Sequence, residues 1–313
     1  MSAPKVLVTC KQMQVELPVH QARLEEAGYE VLSPELTKQQ FTEQELKELL
    51  PGVVGMIAGD DPLTADVIRS GADLKVIIRW GIGMDSVDHD AAAAAGVVVR
   101  NTPAVFGDEV ADSAFGYVLL LARGHHRVDA EVRAGGWPKV EGMSLSGQRL
   151  GVVGLGSIGR AIAQRGLGFG MDVVAYDPYA DADAAKAAGV ALVPLDDLFS
   201  TSGFVVLSSP LTDETFHLVD KRTLGLMRPD AYLVNVGRGP LVDEPALVEA
   251  LQAGAIAGAG LDVFEVEPLP ADSPLREMSN VVLGAHNGSN TRQGVARASA
   301  EAVRRLLESL GDA

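Results

Sequence analysis

The chain has 313 residues, 47% of them hydrophobic, and its 26 basic residues against 42 acidic ones give a formal net charge of −16. That length fills roughly two domain cores, and the acidity argues against non-specific binding to a phosphate backbone. No apolar run reaches the ~20 residues a membrane span needs, the N-terminus lacks a signal-peptide pattern, and the single Cys10 rules out an internal disulfide framework. A cytoplasmic protein with no membrane or nucleic-acid partner is expected.

In chain order, 5–9 is a short β-branched run, followed after a loop by a helical stretch from Val19 to Ala27 and a strand at 29–32. Phe41, Leu46, Leu49 and Leu50 have helical spacing. Residues 52–58 and 74–78 read as buried strands, 64–70 and 91–95 as helices, and 97–99 as a strand. A long helical pattern then runs from Asp108 to about Arg127, and 133–147 is irregular and exposes Trp137. From residue 149 the rhythm repeats, with strands near 152, 173–176, 191–193, 204–207, 232–235, 258–262 and 281–283. A closing helix, 295–310, has no sheet of its own and is expected to return to the first domain. Strands alternating with helices imply parallel sheets covered on both faces. The expected fold is α/β, with two doubly wound parallel-sheet domains of Rossmann or flavodoxin-like type. The connecting helix and Trp137 together suggest a homodimer.

The motif that carries most information is Gly154-Leu-Gly156-Ser157-Ile158-Gly159, directly behind the run 149–153 and followed by Asp177 at the end of the next strand. The first glycine allows the tight turn, the second lets backbone approach a pyrophosphate, and the third lets the helix starting near Arg160 pack on the sheet. The N-terminus of that helix offers unpaired N–H groups to phosphates. Asp177 lies at the spacing at which a carboxylate reaches the adenosine ribose hydroxyls and would repel a 2′-phosphate. The cofactor read from this is NAD rather than NADP. No metal is expected.

Arg238, Glu267 and His286 each follow a strand of the second series, where a doubly wound sheet places its ligand crevice. A guanidinium there can fork onto a carboxylate, and a histidine beside a carboxylate can exchange a proton near neutrality. Taken singly, each also reads as an ordinary surface or loop residue; their shared placement is what singles them out.

The motifs GLGSIGR (154–160), NVGRGPLVDE (235–244), GLDVFEVEP (260–268) and HNGSNT (286–291) are similar in order and spacing to those of the D-isomer-specific 2-hydroxyacid dehydrogenases. The resemblance runs nearly end to end. It implies a substrate domain made of 1–101 and 289–313, with an NAD-binding domain, 102–288, inserted between. It further implies that His286 is the general acid/base, that Glu267 tunes it and that Arg238 holds the substrate carboxylate. Pro210, Thr215, Val236 and Asp262 would lie along the cofactor, Asp262 on its nicotinamide side. Arg79, Gly81, Ile82 and Gly83 resemble the substrate loop, and the glycine turn can offer N–H groups to a carboxylate.

The implied activity is NAD-dependent hydride transfer on a small anionic D-2-hydroxy or 2-oxo acid. Two readings of Arg79 stay open: it reaches a second anionic group, as in a 3-phosphoglycerate-like or phosphonate-bearing acid, or it packs or pairs with Asp85 or Asp88. The second reading leaves a glyoxylate or hydroxypyruvate reductase. Two other classes compete: an NADH-sensing binding protein similar to the C-terminal-binding-protein corepressors, and a binder of S-adenosylmethionine or adenosylhomocysteine. The chain departs from common family patterns at Ala285-His286-Asn287-Gly288-Ser289, at Phe106 and at Ser208-Ser209-Pro210.

Overall fold

The computed structural model describes residues 3–311. The chain forms two compact units, one running to Phe106 and resuming at Asn290, the other spanning Gly107–Ser289. The first division falls at Phe106 rather than at 101 because 102–106 are tied to the first unit. The Thr102 N–H donates to the Gly81 carbonyl at 3.0 Å, and the Phe106 ring lies 5.1 Å from that of Trp80.

The first unit alternates β1 (Lys5–Val8), α1 (Lys11–Glu26), β2 (Glu30–Leu32), α2 (Glu43–Leu49), β3 (Val53–Ala58), α3 (Ala65–Ser70), β4 (Val76–Arg79), α4 (His89–Ala94) and β5 (Val98–Asn101). Its strands form a parallel sheet in the order β2-β1-β3-β4-β5, the flavodoxin-like doubly wound arrangement. Leu7, Met56 and Ile77 on the sheet meet Leu46 and Leu50 in a fully buried core. Helix α1 starts eight residues before Val19. Met13, Leu17 and Leu24 bury one face of it, and this burial outweighs Pro18, which removes one internal hydrogen bond.

The second unit comprises α5 (Gly107–Arg123), α6 (His125–Arg133), β6 (Arg149–Val153), α7 (Ser157–Gly168), β7 (Asp172–Tyr176), α8 (Ala182–Ala187), β8 (Ala191–Leu192), α9 (Leu195–Thr201), β9 (Phe204–Leu207), α10 (Lys221–Leu224), β10 (Tyr232–Asn235), α11 (Glu244–Gln252), β11 (Gly258–Leu261) and β12 (Val281–Leu283). A last helix, α12 (Arg292–Gly311), packs on β3 and β4 of the first unit, as expected for a helix without its own sheet. The single helix expected over 108–127 is two. Gly124 adopts φ +61°, a left-handed conformation that ends α5 and restarts the chain as α6.

The seven strands of this unit are all parallel, in the order β12-β11-β10-β9-β6-β7-β8. Strand order therefore reverses between β6 and β9. Because every strand points the same way, the loops after β6, β9, β10, β11 and β12 emerge on one edge, where a doubly wound sheet binds its ligand. Those loops begin at Gly154, Ser208, Val236, Asp262 and Gly284.

Candidate active site

The turn after β6 is built around missing side chains. Gly154 has φ +88°, and a Cβ there would stand 2.7 Å from the Ser209 backbone. A Cβ on Gly159 would overlap the Gly154 carbonyl, so only glycine lets α7 approach the turn, whereas the space in front of Gly156 is open. Helix α7 begins at Ser157, three residues before the expected Arg160, so Ser157 and Ile158 are its first N–H donors. Asp177, at the end of β7, accepts from the Leu155 N–H at 2.7 Å and from the Tyr179 N–H at 2.9 Å. A cavity of about 580 Å³ lined by Leu155, Gly156, Arg160, Asp177 and Tyr179 adjoins it. Open helix N–H groups, a cleared turn and a strand-end carboxylate fit a dinucleotide.

The neighbouring loops are tightly pinned. Thr215 Oγ1 donates to the Pro210 carbonyl and accepts from the Thr212 N–H, each at 2.7 Å, and the buried Val236 donates its N–H to Leu207 at 3.2 Å. Asn235, which sequence reasoning did not single out, shapes the Arg238 loop. Its Nδ2 donates to the Arg238 carbonyl at 2.8 Å and its Oδ1 accepts from the Gly237 N–H at 3.0 Å. Arg238 directs Nη1 to the Gly237 carbonyl at 3.0 Å.

His286 and Glu267 meet. Nδ1 of the histidine lies 2.7 Å from Glu267 Oε2, while Oε1 of the same carboxylate accepts from the Phe264 N–H at 3.0 Å. The imidazole is thereby oriented by a carboxylate that is itself fixed by backbone, and with Nδ1 engaged proton exchange falls to Nε2. His286 sits at φ +51°, a conformation few side chains adopt without support. Asp262 is buried. Its carbonyl accepts from the His286 N–H at 2.7 Å, and its two carboxylate oxygens accept from the Asn287 and Gly288 N–H groups at 3.2 and 2.8 Å.

In the first unit the arginine ending β4 is packed and ion-paired, as the second reading had it, but with a different aspartate. Arg79 is 5% exposed and pairs with Asp60, not with Asp85 or Asp88, while Nη1 donates to the Trp80 carbonyl. Asp60 follows β3, next to β4, and no periodicity in the sequence could have matched it to Arg79 across that strand pair. The Gly81 N–H donates to Thr102 Oγ1 at 2.9 Å, and the Ile82 carbonyl accepts from Asn101 at 2.7 Å, so part of the turn's hydrogen bonding is internal. Burial pushes the Cys10 thiol, just after β1, up to about 12, as fits its reading as a buried strand-end residue.

Comparison with known proteins follows the same lines. Residues 115–288 match the model of the D-isomer specific 2-hydroxyacid dehydrogenase, NAD binding domain. The chain is 42% identical to a glyoxylate reductase of Korarchaeum cryptofilum over 77% of its own length and 75% of the relative's. It is 38% identical to a hydroxypyruvate reductase of Thermotoga maritima, over 88% and 91%. It is 37% identical to a D-3-phosphoglycerate dehydrogenase of Methanocaldococcus jannaschii, over 91% of this chain but 54% of that one. Among solved structures, D-lactate dehydrogenase from Aquifex aeolicus complexed with NAD and lactic acid superimposes with a TM-score of 0.85 at 28% identity, covering 98% and 96% of the two chains.

Proposed function

The chain belongs to the D-isomer specific 2-hydroxyacid dehydrogenase family, and from that premise we propose that it reduces a small, unphosphorylated 2-oxo acid of the glyoxylate or hydroxypyruvate kind. As a member of the family it is an NAD-dependent oxidoreductase. The observation that carries the site assignment is the His286–Glu267 hydrogen bond at the ligand-binding edge of the nucleotide unit.

Bound at the glycine turn, the cofactor supplies the hydride in one direction and accepts it in the other. His286 Nε2 gives a proton to the carbonyl oxygen during reduction and removes it from the hydroxyl during oxidation. Glu267 holds the ring and stabilises its protonated form. Arg238 forks onto the substrate carboxylate and polarises the adjacent carbonyl. The cofactor contacts assigned to Gly154, Gly156, Ser157, Ile158, Gly159, Asp177, Pro210, Thr215 and Val236 remain part of this reading. So does an anion contact at the Ile82 and Gly83 end of the turn after β4.

The choice of an unphosphorylated acid follows from Arg79. A second anionic group needs a positive charge to repay its desolvation. The guanidinium nominated for that role is buried and already paired with Asp60. The reading also includes a homodimer, supported by Trp137 standing 79% exposed after α6, and a cytoplasmic location. NADH oxidation against glyoxylate, hydroxypyruvate and phosphohydroxypyruvate tests the proposal. Turnover of the first two, with the third at least tenfold lower in kcat/KM, is expected. Preference for the phosphorylated acid would restore Arg79 to a substrate role, and NADH binding without any turnover would favour the corepressor-like reading.

A further inference from the structure

Tyr117 lies on α5, far in sequence from every residue assigned above, and its hydroxyl donates to Asp262 Oδ1 at 2.9 Å. Two glycines make room for it. A Cβ on Gly260 would stand 2.8 Å from the Tyr117 Cβ, and one on Gly284 would overlap both the Tyr117 hydroxyl and Asp262 Oδ1. These glycines lie on β11 and directly after β12. The phenol thus fills a slot that any side chain at 284 would occupy.

The acceptor in that slot organises the catalytic turn. Through its carbonyl and both carboxylate oxygens, Asp262 takes the N–H groups of three consecutive residues, His286, Asn287 and Gly288. This gathering of backbone donors on one carboxylate residue resembles an anion nest, and it holds His286 in its left-handed conformation. The Asp262 N–H in turn donates to the Asn235 carbonyl at 3.0 Å, which ties the same residue to the base of the Arg238 loop.

We propose that Tyr117 is a positioning residue for the reaction: its hydroxyl fixes the Asp262 carboxylate, and through it the 286–288 turn and the His286 ring. Asp262 on this account serves the histidine loop in addition to the nicotinamide side expected of it. Burial beside Asp262 raises the phenol far above its ordinary range, so it stays protonated, and a donor, at neutral pH. The inference rests on His286 being the proton donor.

The test is steady-state reduction of glyoxylate by the full-length enzyme, with NADH binding and thermal midpoint measured on the same samples. Tyr117→Phe keeps the ring packing and removes only the hydroxyl. It is expected to lower kcat about tenfold while KM for NADH and the midpoint stay nearly unchanged. Gly284→Ser is also expected to impair the enzyme, because its side chain collides with both the phenol and the Asp262 carboxylate that the phenol holds. An unchanged kcat in Tyr117→Phe, an equal loss of NADH affinity and midpoint, or an unimpaired Gly284→Ser would each overturn the inference. His286→Asn is run alongside. If it stays active, the histidine reading itself fails; if it is inactive beside a fully active Tyr117→Phe, only the role of Tyr117 is lost.

Discussion

His286 Nδ1 and Glu267 Oε2 stand 2.7 Å apart, although one follows β12 and the other lies in the loop leaving β11. Adjacent parallel strands bring the two loops to one edge, and the Phe264 N–H locks the carboxylate in place. A carboxylate in this position selects the ring orientation and lowers the energy of the imidazolium formed when the hydroxyl is oxidised.

Glu267→Gln keeps the size of the side chain and removes its charge. The prediction is a fall in kcat of about 10- to 100-fold, a fraction of the ~10²–10⁴ that general acid–base catalysis contributes, with NADH affinity unchanged. Steady-state kinetics with a parallel fluorescence titration of NADH measures both, and an unaltered kcat would remove Glu267 from the mechanism.

Asp177 holds the glycine turn by accepting from Leu155 and faces the cavity beside it. Asp177→Asn preserves an acceptor but loses the charge that repels a 2′-phosphate. The ratio of kcat/KM for NADH over NADPH is predicted to fall about tenfold or more. A ratio that does not move would mean that the carboxylate serves only the turn.

Gly159 is where the approach of α7 to β6 is tightest, since a Cβ would overlap the Gly154 carbonyl. Gly159→Ala is predicted to destabilise the nucleotide unit by about 1–3 kcal/mol, the usual cost of overpacking, and to weaken NADH binding. Denaturant titration and NADH titration report the two effects. Wild-type values in both would show that the backbone relaxes freely there.

Much of this site was legible in the chain because its signals are local. The glycine spacing of 154–159, the strand before it and Asp177 after it specify the turn through steric rules that act within about thirty residues. The placement of Arg238, Glu267 and His286 after strands was equally local, and the parallel sheet turned it into contact for Glu267 and His286. What sequence reasoning missed was set by packing between distant elements. Tyr117 reads as one more apolar position of α5 until Gly260 and Gly284 are seen to make room for it. Asp60 has no periodic relation to Arg79, so the ion pair that occupies that arginine was invisible. The break at Gly124 was missed because a lone glycine is tolerated within a helical pattern; its φ of +61° is what ends α5 there.

Cys10 offers a check on the first unit. With burial pushing its thiol up to about 12, the reactive thiolate is scarce at neutral pH. The native enzyme is predicted to resist a thiol reagent at pH 8 and to react fully once unfolded. Rapid labelling of the folded enzyme would show that the end of β1 opens to solvent.

The most direct test of the account is single-turnover reduction of glyoxylate by His286→Asn, compared with wild type at saturating NADH. Loss of about a thousandfold or more in the hydride-transfer rate, with NADH affinity within twofold of wild type, is the predicted result, because the histidine serves proton transfer more than binding. A rate within tenfold of wild type would contradict the assignment of His286 as the proton donor.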